Sequence, residues 1–511
     1  MSARSPHFVL TISIVLMLIS APILVLVPEG ASALQEGDFE YELTGDPPVA
    51  KITKYIGAGG AVNVPSTLGG YPTAIVGHDS FNNAHGDLVT SVLLPSSVLT
   101  VENYAFANCD LLASVSISSG VTFIGEQAFH NCYSLGSITV KGANTMYSSI
   151  DGVLYDKNLT TLIKCPAAKA GEVIIPDSVT SMVWRAFDHC WSLQHLTIGS
   201  GIAIIDGYAF EGCRSLETLA FSPGIELGSI GTQAFSLCTS LLSVELPEGL
   251  LTIGSSAFQG CVSMVNVSIP ASVTSIARNA FYRCSNLTAM DVSEGNLNYS
   301  SIDGVLYNRN ASLLIQCPSA RSGSFEVPAS VTEIGEGAFA TNNGITAVSM
   351  EAGVTTIGEH SFLECYNLTE VTLGAGVVVI GRAAFASCLS LGSVVIPSAV
   401  NKIGDLAFHG CLSLANITFL GLRSPEVVGY EWVGGTNPML LLGHADPDSN
   451  FPVPGSTFYG LTMGPNVGTA DPGTAEEDGD HTTVLLLIMA VLLAVIALLM
   501  VLLVRKGQGG P

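Results

Sequence analysis

The sequence predicts a solenoid, with a parallel β-sheet along one face and turns or short helical segments along the other. Three observations predict it. An Ala-Phe or Ser-Phe dipeptide recurs at a near-fixed stride, apolar and polar residues alternate ahead of it, and a cysteine usually follows three residues behind. The phenylalanines are Phe81, Phe106, Phe129, Phe187, Phe210, Phe235, Phe258, Phe281, Phe339, Phe362, Phe385 and Phe408; seven of the eleven gaps are 23 residues, two are 25 and two are 58. A unit this small cannot bury its own apolar face and does so by stacking on its neighbours.

In chain order, residues 1–33 come first. Phe8 to Val27 is almost wholly apolar, follows Arg4 and leads to Ala31-Ser32-Ala33. That order reads as a secretory signal peptide cut after Ala33, with an uncleaved anchor as the alternative.

The repeats occupy 81–420. In the copy around Phe258, Val244 and Leu246 flank Glu245, the period-2 pattern of a short strand, which Pro247 ends because it lacks an amide hydrogen. Leu250 and Ile253, three apart, suit a tight or short helical turn with both side chains inward. Gly254 permits a sharp change of direction, and Ala257-Phe258 returns to the core.

Each 58-residue gap is one stride of 23 plus 35 extra residues, giving inserts at about 142–176 and 294–328. Tyr147-Ser-Ser-Ile-Asp151-Gly152-Val-Leu-Tyr155 matches Tyr299-Ser-Ser-Ile-Asp303-Gly304-Val-Leu-Tyr307, and each insert continues to a Cys-Pro at Cys165 or Cys317. Asp-Gly between β-formers signals a hairpin, so each insert is expected to be a small antiparallel sheet, protruding from the solenoid or docked on it. The inserts lie 152 residues apart, as do Phe129 and Phe281, which marks a duplicated block.

After Phe419 the register is lost, and 421–465, with Trp432 and several prolines, is expected to be an irregular cap. Residues 466–481 form an acidic Gly/Pro stalk. Thr483 to Val504 is an unbroken apolar run of 22 residues, about 33 Å as a helix and enough for one transmembrane crossing. Arg505 and Lys506 then place the tail 505–511 in the cytoplasm, and Glu476, Glu477, Asp478 and Asp480 outside. The expected location is the cell membrane, single-pass, with the bulk of the chain extracellular.

The pattern Leu-x-x-Val-x-Ile-Pro-x-x-Val-x-x-Ile-Gly-x-x-Ala-Phe-x-x-Cys resembles the BspA-like, or Treponema pallidum type, leucine-rich repeats over about Gly37 to Phe419. The Asp-Gly-Val-Leu-Tyr inserts look like that family's interrupting module, and Tyr55-Ile-Gly-Ala-Gly-Gly with Leu68-Gly-Gly-Tyr-Pro looks like its opening unit, here a capping unit at 34–80. The resemblance implies a leucine-rich repeat solenoid at the cell surface, used for adhesion to cells or macromolecules. Departures are local: Met182-Val183 replaces Ile-Gly, Ala277 replaces a glycine, and Asn342 stands in a cysteine slot.

Ten of the twelve cysteines (Cys109, Cys132, Cys190, Cys213, Cys238, Cys261, Cys284, Cys365, Cys388 and Cys411) occupy that slot, whose weak donor can meet backbone carbonyls. Parallel side-chain directions on adjacent rungs disfavour disulfide geometry, so free buried thiols are expected. Between Leu34 and Asp480, 15 lysines and arginines face 41 aspartates and glutamates, a balance that repels nucleic acid and anionic headgroups.

No catalytic constellation, cofactor site or metal set is expected. Gly335-Glu-Gly337-Ala-Phe-Ala340 fits a loose dinucleotide fingerprint but is one repeat's Ala-Phe slot, and Asp446, Asp448 and Asn450 lack a calcium loop's glycine and closing glutamate. His130, His189 and His409 fall at variable positions and are read as exposed.

Candidate contacts are therefore surface residues. The outward sheet positions are Ser114, Ser116, Ser137, Thr139, His195, Thr197, Thr218, Ser243, Glu245, Asn266, Ser268, Asp291, Ser349, Glu370, Thr372 and Ser393. Tyr147, Tyr155, Tyr299 and Tyr307 are the alternative, unless they pack the hairpins. N-glycosylation sequons stand at Asn158, Asn266, Asn286, Asn298, Asn310, Asn367 and Asn416. Expected partners are extracellular proteins, glycans or other cells, with no nucleic acid. The alternatives are a structural component of the envelope coat and, less favoured, an enzyme sited in the inserts or the C-terminal cap.

Overall fold

A computed structural model describes residues 33–437 and 441–465. The signal peptide, stalk, transmembrane helix and tail read from the sequence lie outside the described residues, apart from Ala33. Among the described residues no helix is long and apolar enough to cross a membrane.

The described chain is a parallel β-solenoid of leucine-rich repeat type with almost no helix. Each full rung carries two strands: a long one, such as Asn266–Ile269, and a two-residue one, such as Ser275–Ile276. Both pair in register with the rungs on either side. Asn266 lies opposite Ser243 and Ala289 in the long ladder, and Thr252 lies between Ser229 and Ser275 in the short one. Of the tight or short helical turn expected at Leu250 and Ile253, a tight turn closes from Pro247 to Leu250 and Ile253 belongs to the short strand Thr252–Ile253, with both apolar side chains buried. Strand geometry wins because every rung offers the same backbone donors and acceptors at the same height, so a ladder satisfies them where an isolated turn could not. Gly86–Leu88, a single 3-10 turn, is the only helix among the described residues.

The Ala-Phe dipeptide forms a third, non-strand ladder. The Phe258 amide donates to the Ala280 carbonyl at 2.8 Å, and the rings of Phe235, Phe258 and Phe281 stack at centroid distances of 5.3 and 5.5 Å, nearly parallel. Two residues per rung take left-handed backbone: the one before Ala-Phe (Gln233, Ser256, Asn279) and the one before the cysteine (Asn108, Leu237, Arg283). That conformation costs energy for non-glycine residues, and stacking on both sides holds it in place.

The Ile-Gly glycine has a different role from the one expected. Gly231, Gly254, Gly381 and Gly404 are not in the left-handed region. A Cβ at Gly404 would instead lie 2.5 Å from the Arg382 amide nitrogen, and one at Gly254 2.5 Å from the Gly231 carbonyl carbon. Adjacent backbones touch here, leaving no space for a side chain. Gly404→Ala is therefore expected to push rungs apart and lower stability by about 1–3 kcal/mol, read as a shift in thermal unfolding.

Each insert is docked. In the first, Tyr147–Ile150, Val153–Asp156 and Thr161–Lys164 form an antiparallel meander whose last strand pairs in parallel with Ser181–Met182, so it joins the short ladder. Asp151 and Gly152 both have positive φ, 48° and 81°, as a tight two-residue hairpin requires. The Gly152 carbonyl accepts from the Ile138 amide at 2.9 Å and closes the end of the first long-strand sheet; Gly171–Ile174 begins the next. The second insert repeats this with Tyr299–Ile302, Val305–Asn308 and Leu313–Gln316.

The ends are closed by aromatic clusters. Tyr55 stacks on Phe81 at 4.9 Å with Phe39 beside them. At the other end both ladders run one rung past Phe419, through Val427–Val428 and Leu442–His444. Fully buried Trp432 then meets Phe408, Phe419 and Phe458, and its indole N–H donates to the Tyr459 carbonyl at 3.0 Å.

Candidate binding surfaces

The sixteen outward sheet residues named from the sequence are all at least partly exposed, while the residues between them face the core: Val244 is 2 % exposed between Ser243 and Glu245. Register aligns them in small polar rows, Thr218 beside Ser243 beside Asn266, and Ser349 beside Thr372. The face is broken where the long-strand sheet ends at each insert. Side chains link neighbouring rungs at His195 Nδ1 and Thr218 Oγ1, 2.9 Å apart, and at His444 Nε2 and Asn416 Oδ1, 3.2 Å apart. The seven sequon asparagines are all exposed.

The insert tyrosines are placed differently from the contact role considered for them. Tyr155 and Tyr307 are each 1 % exposed, packed in the core, where burial raises their phenol pKa. Tyr147 and Tyr299 are half-buried, and their hydroxyls accept from the Ile124 and Ile276 amides at 2.9 and 2.8 Å. They staple the meander to the preceding rung because the alternation of the hairpin points them down onto it.

Two buried asparagines that sequence reasoning missed do the same work. Asn144 donates to the Ser118 and Val121 carbonyls at 2.8 and 2.9 Å, and accepts from the Met146 and Tyr147 amides at 2.8 and 2.7 Å. Asn296 repeats this with Pro270, Val273, Asn298 and Tyr299. Their 152-residue spacing was the available signal.

The twelve cysteines are free and buried. Eight of the ten slot thiols donate to the phenylalanine carbonyl of the preceding rung, Cys132 to Phe106 and Cys365 to Phe339 at 3.0 Å each, whereas Cys190, which follows the first insert, donates to the Cys165 and Pro166 carbonyls at 3.6 Å. Asn342 uses the same slot, donating to the Pro318 carbonyl at 2.9 Å. Burial pushes Cys238, Cys317 and Cys365 up to about 12, so nucleophilic thiolate is suppressed. None of the twelve is expected to react with iodoacetamide in the native chain, and all twelve after unfolding. Because Cys238, Cys317 and Cys365 ionise near 9 when unfolded and near 12 when folded, their contribution to stability is complete below pH 9 and lost as pH rises towards 12. Base unfolding starting above about pH 9 is the expected result.

The most chemically varied surface lies beside the first insert. A cleft of about 420 Å³ opens between Glu126–His130, the third insert strand and Val183–Asp188. Trp184 on its wall is 59 % exposed, with the Arg185 guanidinium 4.5 Å from its ring centre. Asp188 is ringed by His130, Arg185 and His189 at 3.6, 3.7 and 3.7 Å. Lys164 Nζ lies 3.4 Å from the Asp188 carbonyl. Burial lowers the His130 pKa against the opposing pull of Asp188, favouring the neutral imidazole. Beyond Asp188, His189 leads to Tyr133 stacked on Trp191 at 5.3 Å. The three histidines read as exposed are thus all half-buried, His409 against the C-terminal cap. Among the described residues no group of three or more His, Cys, Asp or Glu could hold a metal ion.

The family described as BspA type leucine rich repeat region (6 copies) matches residues 72–167, 165–288, 223–308 and 316–424. The chain belongs to this family. The match spans the first insert, most of the second and all the stacked phenylalanines, as the repeat pattern implied. No curated protein sequence matches. Among solved structures, a leucine-rich cell surface protein of Faecalibacterium prausnitzii is similar at 28% identity over 78% of this chain and 94% of that one, with a TM-score of 0.42. A leucine-rich repeat protein of Bacteroides ovatus is similar at 21% identity over 81% and 95%, TM-score 0.40, and the pneumococcal vaccine antigen PcpA at 19% over 83% and 92%, TM-score 0.41.

Proposed function

We propose that this BspA-type repeat protein is a cell-surface adhesin that binds extracellular macromolecules or cells, anchored in the membrane by the apolar run 483–504 after removal of residues 1–33. The observation that carries the reading is a solenoid flanked by a secretion-like leader and a spanning-length apolar run followed by Arg505 and Lys506. The long repeat array offers polar rows along its sheet face, and the acidic Gly/Pro stretch 466–481 would supply reach from the membrane. Side chains of the repeat slots are committed to packing, so the variable surface positions are left for recognition.

Two measurements test this. Protease added to intact expressing cells is expected to remove the repeat region while sparing the anchored tail; complete protection would refute the surface location. Purified 34–480 is expected to bind matrix proteins, mucins or whole cells saturably. Ordered self-assembly without such binding would favour an envelope coat role instead.

A further inference from the structure

We infer that the cleft beside the first insert is a saccharide-binding site, with Trp184 as its platform and neutral pyranose sugars as its ligand class. This deepens the adhesion reading and rests on it only for the source of the sugar.

The duplicated block supplies an internal control. At the matching positions 152 residues on, Trp184 becomes Glu336, Arg185 becomes Gly337, Asp188 becomes Ala340, His130 becomes Tyr282, Lys164 becomes Gln316 and Trp191 becomes Asn343. The insert there docks in the same way, with the same staple from Tyr299. The second cleft is only about 150 Å³ and is bridged by Arg278 to Glu336 at 2.9 Å. The scaffold therefore folds without the first cleft's aromatic and charged set, and packing does not explain that set.

The chemistry of the set selects the ligand class. Of the chain's three tryptophans, Trp184 lines the cleft at 59 % exposure, Trp191 stands beyond it at 42 %, and Trp432 is buried. One Trp184 face carries Arg185, and its exposure leaves ring surface for a partner. An electron-rich indole face suits the C–H groups on the apolar side of a pyranose. Sugar hydroxyls need donors and acceptors together, and Lys164, His130 and Arg185 stand beside Asp188 and Glu126. Lys164 and Arg185 face Glu126, Asp156 and Asp188, so the cleft holds no surplus of positive charge. The chain's net charge of −24 further disfavours anionic sugars. The volume falls within the ~300–1,000 Å³ of small-molecule sites.

The test presents the full-length chain in detergent to arrays of neutral saccharides, carboxylated or sulfated saccharides, and proteins without glycans. Saturable binding to neutral saccharides is expected, with a change in tryptophan fluorescence. Trp184→Ala should weaken binding about tenfold or more and abolish the fluorescence change, with unfolding temperature unchanged. Trp184→Phe should keep a large part of the affinity. The proposal is overturned by absence of saccharide binding, by binding confined to anionic sugars or glycan-free protein, or by binding that Trp184→Ala leaves intact. Cell binding that survives Trp184→Ala would overturn the site and leave the adhesion reading standing. Trp184-dependent sugar binding without any cell binding would do the reverse.

Discussion

Phe258→Ala is expected to cost about 3–5 kcal/mol and to unfold the rungs around it before the rest of the chain. The ring sits between Phe235 and Phe281, within 6° of parallel to each, and is fully buried. Its removal leaves a cavity that neighbours cannot fill, because each is fixed by its own ladder bonds. In a solenoid each rung is coupled only to adjacent ones, so the loss should appear as faster hydrogen exchange across rungs 235–281 while the amides near Phe385 and Phe408 stay protected. Leu237→Ser, on a 43 % exposed residue in the turn of the preceding rung, should have little effect. Equal destabilisation by the two substitutions would remove the stacked ring column from its central place.

The second large effect is expected at the insert latches. Asn144→Ala removes two donor and two acceptor contacts from a site that is 1 % exposed, stranding the Ser118 and Val121 carbonyls and the Met146 and Tyr147 amides. Buried polar groups left without partners cost about 1–3 kcal/mol each, reduced where water reaches them, so a net loss of about 3 kcal/mol is expected. It should be local: the meander 147–164 should become protease-sensitive while the Phe339–Phe408 rungs stay intact. Asn144→Asp keeps the acceptor and loses the donor, and should fall between wild type and alanine. Asn296→Ala should do the same to 299–316.

The stride, the long strands and the Asp-Gly hairpins were legible because each rests on a local rule: period-2 alternation, an amide-free proline, a turn that needs positive φ. The short strand was not. Two residues such as Thr252–Ile253 are too few to show a period, and Leu250 and Ile253 at a spacing of three suit a turn equally well. The role of Gly404 was hidden because it concerns the preceding rung's backbone, at Gly381 and Arg382. Asn144 and Asn296 were lost among the many identities of the duplicated block. The cleft was marked only by a departure, Met182-Val183 for Ile-Gly, which reads as a weakened turn until the exposed Trp184 beside it is seen. Outward polar positions such as Ser243 and Asn266 were correctly placed by alternation, yet alternation carries no information about affinity.

Exchanging the first cleft for its own duplicate tests the central claim most directly, that scaffold and recognition are separate in this chain. The triple variant Trp184→Glu, Arg185→Gly and Asp188→Ala installs the second block's residues on the first. Equilibrium binding to whole cells, measured alongside thermal unfolding, is expected to show the wild-type transition and at least tenfold weaker binding. Undiminished binding, or loss of the fold itself, would contradict the account.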